Sequence, residues 1–146
     1  MSVVGSLDAI AVKAEAVTGI KRVYSVGVSA SVRPIPRGID DGPVGTVWIG
    51  SGDMQGGNAE HVSMSPTLDI WVRADDAGYA NKTLAQFIDP MRDAFRLDMD
   101  LGGECSRCHM TGWDEPETQE VNGNPYLILP IRLDVLVTRY ASDATA

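Results

Sequence analysis

The stretch YLILPIRLDVLVT, residues 126–138, decides the fold. Leu127, Leu129, Ile131, Leu133, Val135 and Val137 fall on one side of a period-two pattern, with Pro130, Arg132, Asp134 and Thr138 on the other. Successive side chains of an extended strand point to opposite faces, so this alternation predicts a long strand with one face in a core. The second face is not cleanly polar, because Ile128 and Leu136 also belong to it. Upstream, residues 62–72 repeat the pattern, setting Val62, Met64, Leu68, Ile70 and Val72 against Ser63, Ser65, Thr67, Asp69 and Trp71. Pro66 interrupts that run and predicts a bulge or an edge position, since proline has no N–H to give to a ladder.

Shorter β-prone segments occupy residues 20–28, 46–49 and 105–113. Helical spacing occurs twice. Leu7, Ile10, Ala14 and Val17 form one stripe between Ser6, read as an N-cap, and Gly19, read as the residue after the C-cap, which predicts a helix near 6–18. Asp75 or Asp76 caps a second stripe, Leu84, Phe87, Ile88, Met91 and Phe95. That stripe keeps its phase across Pro90, so a kinked helix is expected from about 77 to 97. Residues 29–45 read as a long loop, GSGDMQGGNAE at 50–60 as a mobile hairpin tip or lid, and 141–146 as a fraying tail. DEPETQEVNGN at 114–124 reads as an acidic turn with an Asn-Gly signal. The order helix, three strands, helix, two strands predicts one α+β domain over 1–146. Its sheet is expected to be largely antiparallel or mixed, with four to five strands and two helices packed on one face.

The formal net charge is -8. Such a surface repels phosphate and lacks the basic footprint of a nucleic-acid binder. The N-terminal residues lack the basic and apolar regions of a secretory signal, and no apolar run approaches the roughly 18 residues of a membrane span. A cytosol-like compartment is expected.

Residues 105–109, Cys-Ser-Arg-Cys-His, match the C-x-x-C-H pattern of covalent haem attachment. The match is discounted, because no export signal accompanies it and a β-prone setting supplies no helical haem cage. Zinc bound by Cys105, Cys108, His109 and His61 is the next reading, but a structural zinc site presents a second close ligand pair and His61 stands alone. A redox pair would want a helix N-terminus to lower a thiol pKa. The plain expectation is two thiols on an edge strand near solvent. The two histidines lie in no triad context, neither Ser51 nor Ser65 makes a nucleophile elbow, and the glycines at 50–57 lack phosphate-loop spacing. No catalytic residue, cofactor site or metal site is assigned.

The whole layout resembles the tail-terminator, or tail-completion, proteins of long-tailed bacteriophages. The resemblance rests on a short helix leading into Thr18-Gly19-Ile20-Lys21-Arg22-Val23-Tyr24, a Pro-rich loop, the strand Ser65 to Val72, and the helix Leu84 to Phe95. It continues through a strand ending in Thr111-Gly112-Trp113, an acidic turn, and the strand Tyr126 to Val137. The resemblance implies a non-enzymatic virion protein in the tail or neck, present in the host cytoplasm during assembly. Its partners would be copies of itself in a hexameric ring, the tail tube protein and head–tail connector proteins. DNA would pass through the lumen without specific binding, and no membrane is involved. Candidate interface residues are Trp71 and Arg73 on the sheet's second face and Arg33 and Arg37 in the loop from Val28 to Pro43. The alternatives are another connector, head-closure or minor tail protein and, more remotely, a metal or haem protein using Cys105, Cys108 and His109.

Overall fold

The computed structural model describes residues 2–29, 33–37, 39, 42–57 and 59–140. The expected tail at 141–146 and part of the loop near 29–45 lie outside the described residues. Helix α1 spans Val3–Glu15, starting one turn earlier than its apolar spacing predicts. Ser2 is the cap, its hydroxyl accepting from the Gly5 N–H at 2.9 Å. Ser6 is instead buried, its hydroxyl within donating distance of the carbonyls of Ser2 and Glu104, at 2.7 and 2.9 Å. The predicted kinked helix is α2 (Ala77–Ala85) and α3 (Ile88–Leu97), separated by Gln86 and Phe87. Asp76 caps α2, accepting from the Tyr79 N–H at 3.1 Å. Pro90 sits in the first turn of α3, where backbone N–H groups have no intrahelical acceptor, so the proline starts the second part without breaking it.

Among the described residues the sheet has eight strands, not four to five. They are β1 (Arg22–Val28), β2 (Val44–Ile49), β3 (Gly52–Gln55), β4 (Ala59–Met64), β5 (Thr67–Arg73), β6 (Arg107–Trp113), β7 (Glu117–Val121) and β8 (Asn124–Tyr140). Pro66, where the sequence predicts a bulge or an edge position within one strand, instead splits the alternating run 62–72 into β4 and β5. The other two additions were hidden by polar composition. The glycine-rich stretch supplies β3, whose four residues are all exposed and so show no apolar alternation. The acidic stretch supplies β7, folded onto β8 by Asn122 and Gly123 at φ 52° and 80°, the left-handed pair of a two-residue hairpin turn.

Strand β8, 17 residues long, is the spine. Its residues 126–128 pair with β5 and β7 together, and 135–136 with β4 and β6 together. A strand has only two edges, so β4 and β5 lie end to end along one side and β6 and β7 along the other. β2 continues the sheet outward from β5, and β1 pairs β2 in parallel; β3 continues outward from β4. Pro130 is tolerated in this central strand for a local reason. Its carbonyl accepts from the Asp114 N–H at 2.9 Å, and a strand residue's nitrogen points the same way as its carbonyl. The missing donor therefore faces the gap between β6 and β7, where no ladder is formed.

One face of the sheet carries the main core. Leu127, Leu129, Ile131, Leu133, Val135 and Val137 of β8 are buried there with Leu68, Ile70 and Val72 of β5. The α-helices of the described residues cover this face, α1 through Leu7, Ile10 and Ala14, α2 through Ala80 and Leu84, and α3 through Met91 and Phe95. No helix among the described residues is long and apolar enough to cross a membrane. Phe95 is fully buried, so Phe95→Ala should destabilise the domain by about 3–5 kcal/mol. Urea unfolding should show a lower midpoint with unchanged slope; a midpoint within error of the parent would contradict this core assignment.

Candidate functional site

The second face of the sheet is enclosed by the chain itself at its lower end. Trp71 on β5 is fully buried with Tyr126 and Ile128 of β8, Val44 of β2 and Ile39 of the long loop. The Trp71 and Tyr126 rings meet edge to face, with centroids 6.3 Å apart. The apolar character of Trp71 and Ile128, which in sequence pointed to a neighbouring subunit, is thus satisfied within the chain, by Ile39 of the loop together with Val44, Tyr126 and Val121. Leu136, further along β8, is half-buried.

A buried carboxylate holds that loop in place. Asp69 on β5 is completely shielded from solvent. Its Oδ2 accepts from the Trp48 indole Nε1–H at 2.8 Å and from Arg33 Nε at 2.9 Å. The other end of the Arg33 guanidinium pairs with Glu117 on β7. One arginine therefore ties the loop to the middle of the sheet and to the hairpin at its margin. Among the described residues, Asp69 Oδ1 and the facing Thr46 hydroxyl have no hydrogen-bond partner. Burial pushes the Asp69 pKa above the ordinary carboxyl range, outweighing the attraction of Arg33 and the two donated hydrogen bonds.

Two further candidate residues are exposed. Arg73, at the end of β5, is exposed, paired with Asp75 at 2.7 Å and donating to the Asn124 side chain at 2.9 Å. Arg37 is exposed on the loop beside Tyr24, Val26 and Ile35. Arg33 is the clamp just described. Of the four expected interface residues, Trp71 and Arg33 thus make contacts within the chain, while Arg73 and Arg37 are exposed. Sequence reading missed Asp69, Trp48 and Glu117. Asp69 occupies a nominally outward strand position, where an acidic residue gives no sign of burial until the loop lies over it.

Cys105 and Cys108 are buried in the main core and not near solvent, although β6, which carries Cys108, pairs only with β8 among the described residues. Cys105 precedes β6 and Cys108 lies on it facing the helices, while His109 takes the opposite face and is half-buried. His61 lies on β4, 3.2 Å from the Thr138 hydroxyl. Among the described residues no group of three or more His, Cys, Asp or Glu side chains is placed to hold a metal. Burial raises the thiol pKa values to about 11 for Cys105 and about 12 for Cys108. A polar recess of about 440 Å³ does open at the upper end of the second face, between Asp53, Ser63, Ser65, Arg107 and Asp134. Ser65 donates to Asp134 across it at 3.1 Å. No protein-family model matches the chain, and no curated protein matches it in sequence.

Two outcomes follow. Asp69→Ala removes the acceptor from Arg33 and Trp48 and should cost about 3 kcal/mol in urea unfolding, whereas Asp69→Asn keeps an oxygen there and should cost less. Because the folded-state pKa is raised, this carboxyl's stabilising contribution is complete below the ordinary carboxyl range and is lost as pH rises through the raised value. Asp69→Asn should lack that decline; equal loss in both variants would contradict the acceptor role. In the native protein at pH 8, neither cysteine should react with a thiol reagent except through unfolding, and both should react in urea. Rapid modification of either in the folded state would contradict the burial.

Proposed function

We propose that the chain is a structural virion protein that forms a ring on the end of a phage tail tube. In that place it stops tube polymerisation and presents a surface for joining the tail to the head. The observation that carries this reading is the form of the sheet, whose two margins are unlike one another and both unpaired among the described residues. Closed rings arise from heterologous contacts, in which one surface of a protomer meets a different surface of the next. A protomer with two dissimilar open margins suits that geometry. The mixed α+β architecture, with helices on one face, agrees with the layout on which the resemblance to tail terminators rests. The net charge of -8 suits a lumen that DNA must traverse without sticking.

On this reading the clamp of Arg33, Asp69 and Glu117 is structural, fixing the second face before assembly. Partners are the tube protein on one side of the ring and connector proteins on the other. The test is the tail length of particles assembled without the protein. Loss of a terminator should give tails of excessive and variable length in electron micrographs. Tails of normal length left detached from heads would instead assign a head-closure role and overturn the capping proposal.

A further inference from the structure

We infer that copies of this chain join through two particular strands, β1 of one protomer pairing with β7 of the next. The inference rests on the ring reading and names the contact that would build it. Four observations converge on these strands.

The first is position. Along the lower half of β8 the sheet runs β1, β2, β5, β8, β7. β1 and β7 are its two margins, and neither has a second partner strand among the described residues. An open margin is a row of unpaired N–H and C=O groups and a template for another strand. β3 cannot take the role of β7 here, because β4 places it on the same side of β8 as β1.

The second is direction. β7 runs antiparallel to β8, β8 to β5, and β5 to β2, while β1 is parallel to β2. β1 therefore runs with β8 and against β7. Rotation about an axis near the strand direction preserves that sense, so β1 of a second copy arrives antiparallel to β7. That is the more stable pairing geometry, and it continues the sheet from one protomer into the next.

The third is charge. Lys21 precedes β1 and Arg22 opens it, and residues 20–29 contain no acidic side chain, although the Glu15 carboxylate at the end of α1 reaches the Val23 N–H at 3.4 Å. The opposite margin carries Asp114, Glu115, Glu117 and Glu120 with no basic residue between 114 and 121. Asp114 and Glu117 are engaged by Arg132 and Arg33 within the chain. Glu115 and Glu120 are exposed at that margin. A basic strand and an acidic strand at opposite margins attract each other between copies, and two identical margins repel, which disfavours a two-fold dimer and favours head-to-tail addition.

The fourth is apolar exposure. Val26 and Val28 on β1 are 44% and 72% exposed, and Trp113, at the turn into β7, is 50% exposed. Aromatic side chains are enriched at subunit contacts, and covering these three removes the largest apolar groups on either margin from water.

The experiment uses charge reversal at exposed positions, read by native mass spectrometry, with circular dichroism as the check on folding. One chain carries Lys21→Glu and Arg22→Glu, the other Glu115→Lys and Glu120→Lys. Each alone should require at least tenfold higher concentration than the parent to assemble. An equimolar mixture should assemble again, in rings where the two chains alternate, because each reversed margin then meets its opposite. If both reversed chains assemble as the parent does, the β1–β7 contact is overturned while the ring reading stands. If both are folded yet fail in mixture as well, the pairing of these two margins is likewise overturned. A parent that stays monomeric at every concentration would overturn the ring reading and this contact together.

Discussion

Everything in the molecule is arranged around one constraint: a 17-residue strand that must pair along both edges and bury both faces over much of its length. No single neighbour is long enough to satisfy it. The chain answers with four shorter strands laid end to end in pairs, β5 and β4 on one edge, β7 and β6 on the other. The joints fall where prolines demand them. Pro66 marks the joint between β4 and β5, and Pro130 faces the joint between β6 and β7. Proline, usually evidence against a central strand, here fixes where the partner strands change.

The two faces of that strand are closed by different means. On one, three helices supply aliphatic and aromatic side chains, and the energetics are those of hydrophobic burial. On the other, Ile39 of the proline-rich loop packs with Trp71, Tyr126 and Ile128. A loop offers little apolar surface, so it is held by charge as well. Arg33 reaches the buried Asp69 and the marginal Glu117 at once. Burying that carboxylate is costly, and its raised pKa records the cost. The return is a fixed position for Arg33 and a fixed attachment for the β7 hairpin, which the assembly contact would use.

Much of this architecture was legible in the sequence. Unbroken alternation at 126–138 announced the spine, and the phase kept across Pro90 announced a helix in two parts. The Asn-Gly dipeptide marked the turn into β8. What could not be read was whatever depends on tertiary cover. β3 and β7 have no buried face, so no periodicity betrays them. Trp71 was legible as a buried ring on the outer face, but the partner covering it was not, because a loop and a second subunit leave the same apolar signature in a strand. Cys105 and Cys108 invited a ligand reading from spacing alone. Their placement in the core, with His109 turned to the other face, shows how a strand's alternation can separate residues that a motif groups together.

The central claim is that one sheet margin of this chain recognises the other margin of a second copy. Sedimentation equilibrium of the pure protein over a wide concentration range tests it most directly. The account predicts a single closed species at an integral multiple of the chain mass, with no growth beyond it. A monomer throughout, or polymers that lengthen without limit, would contradict it.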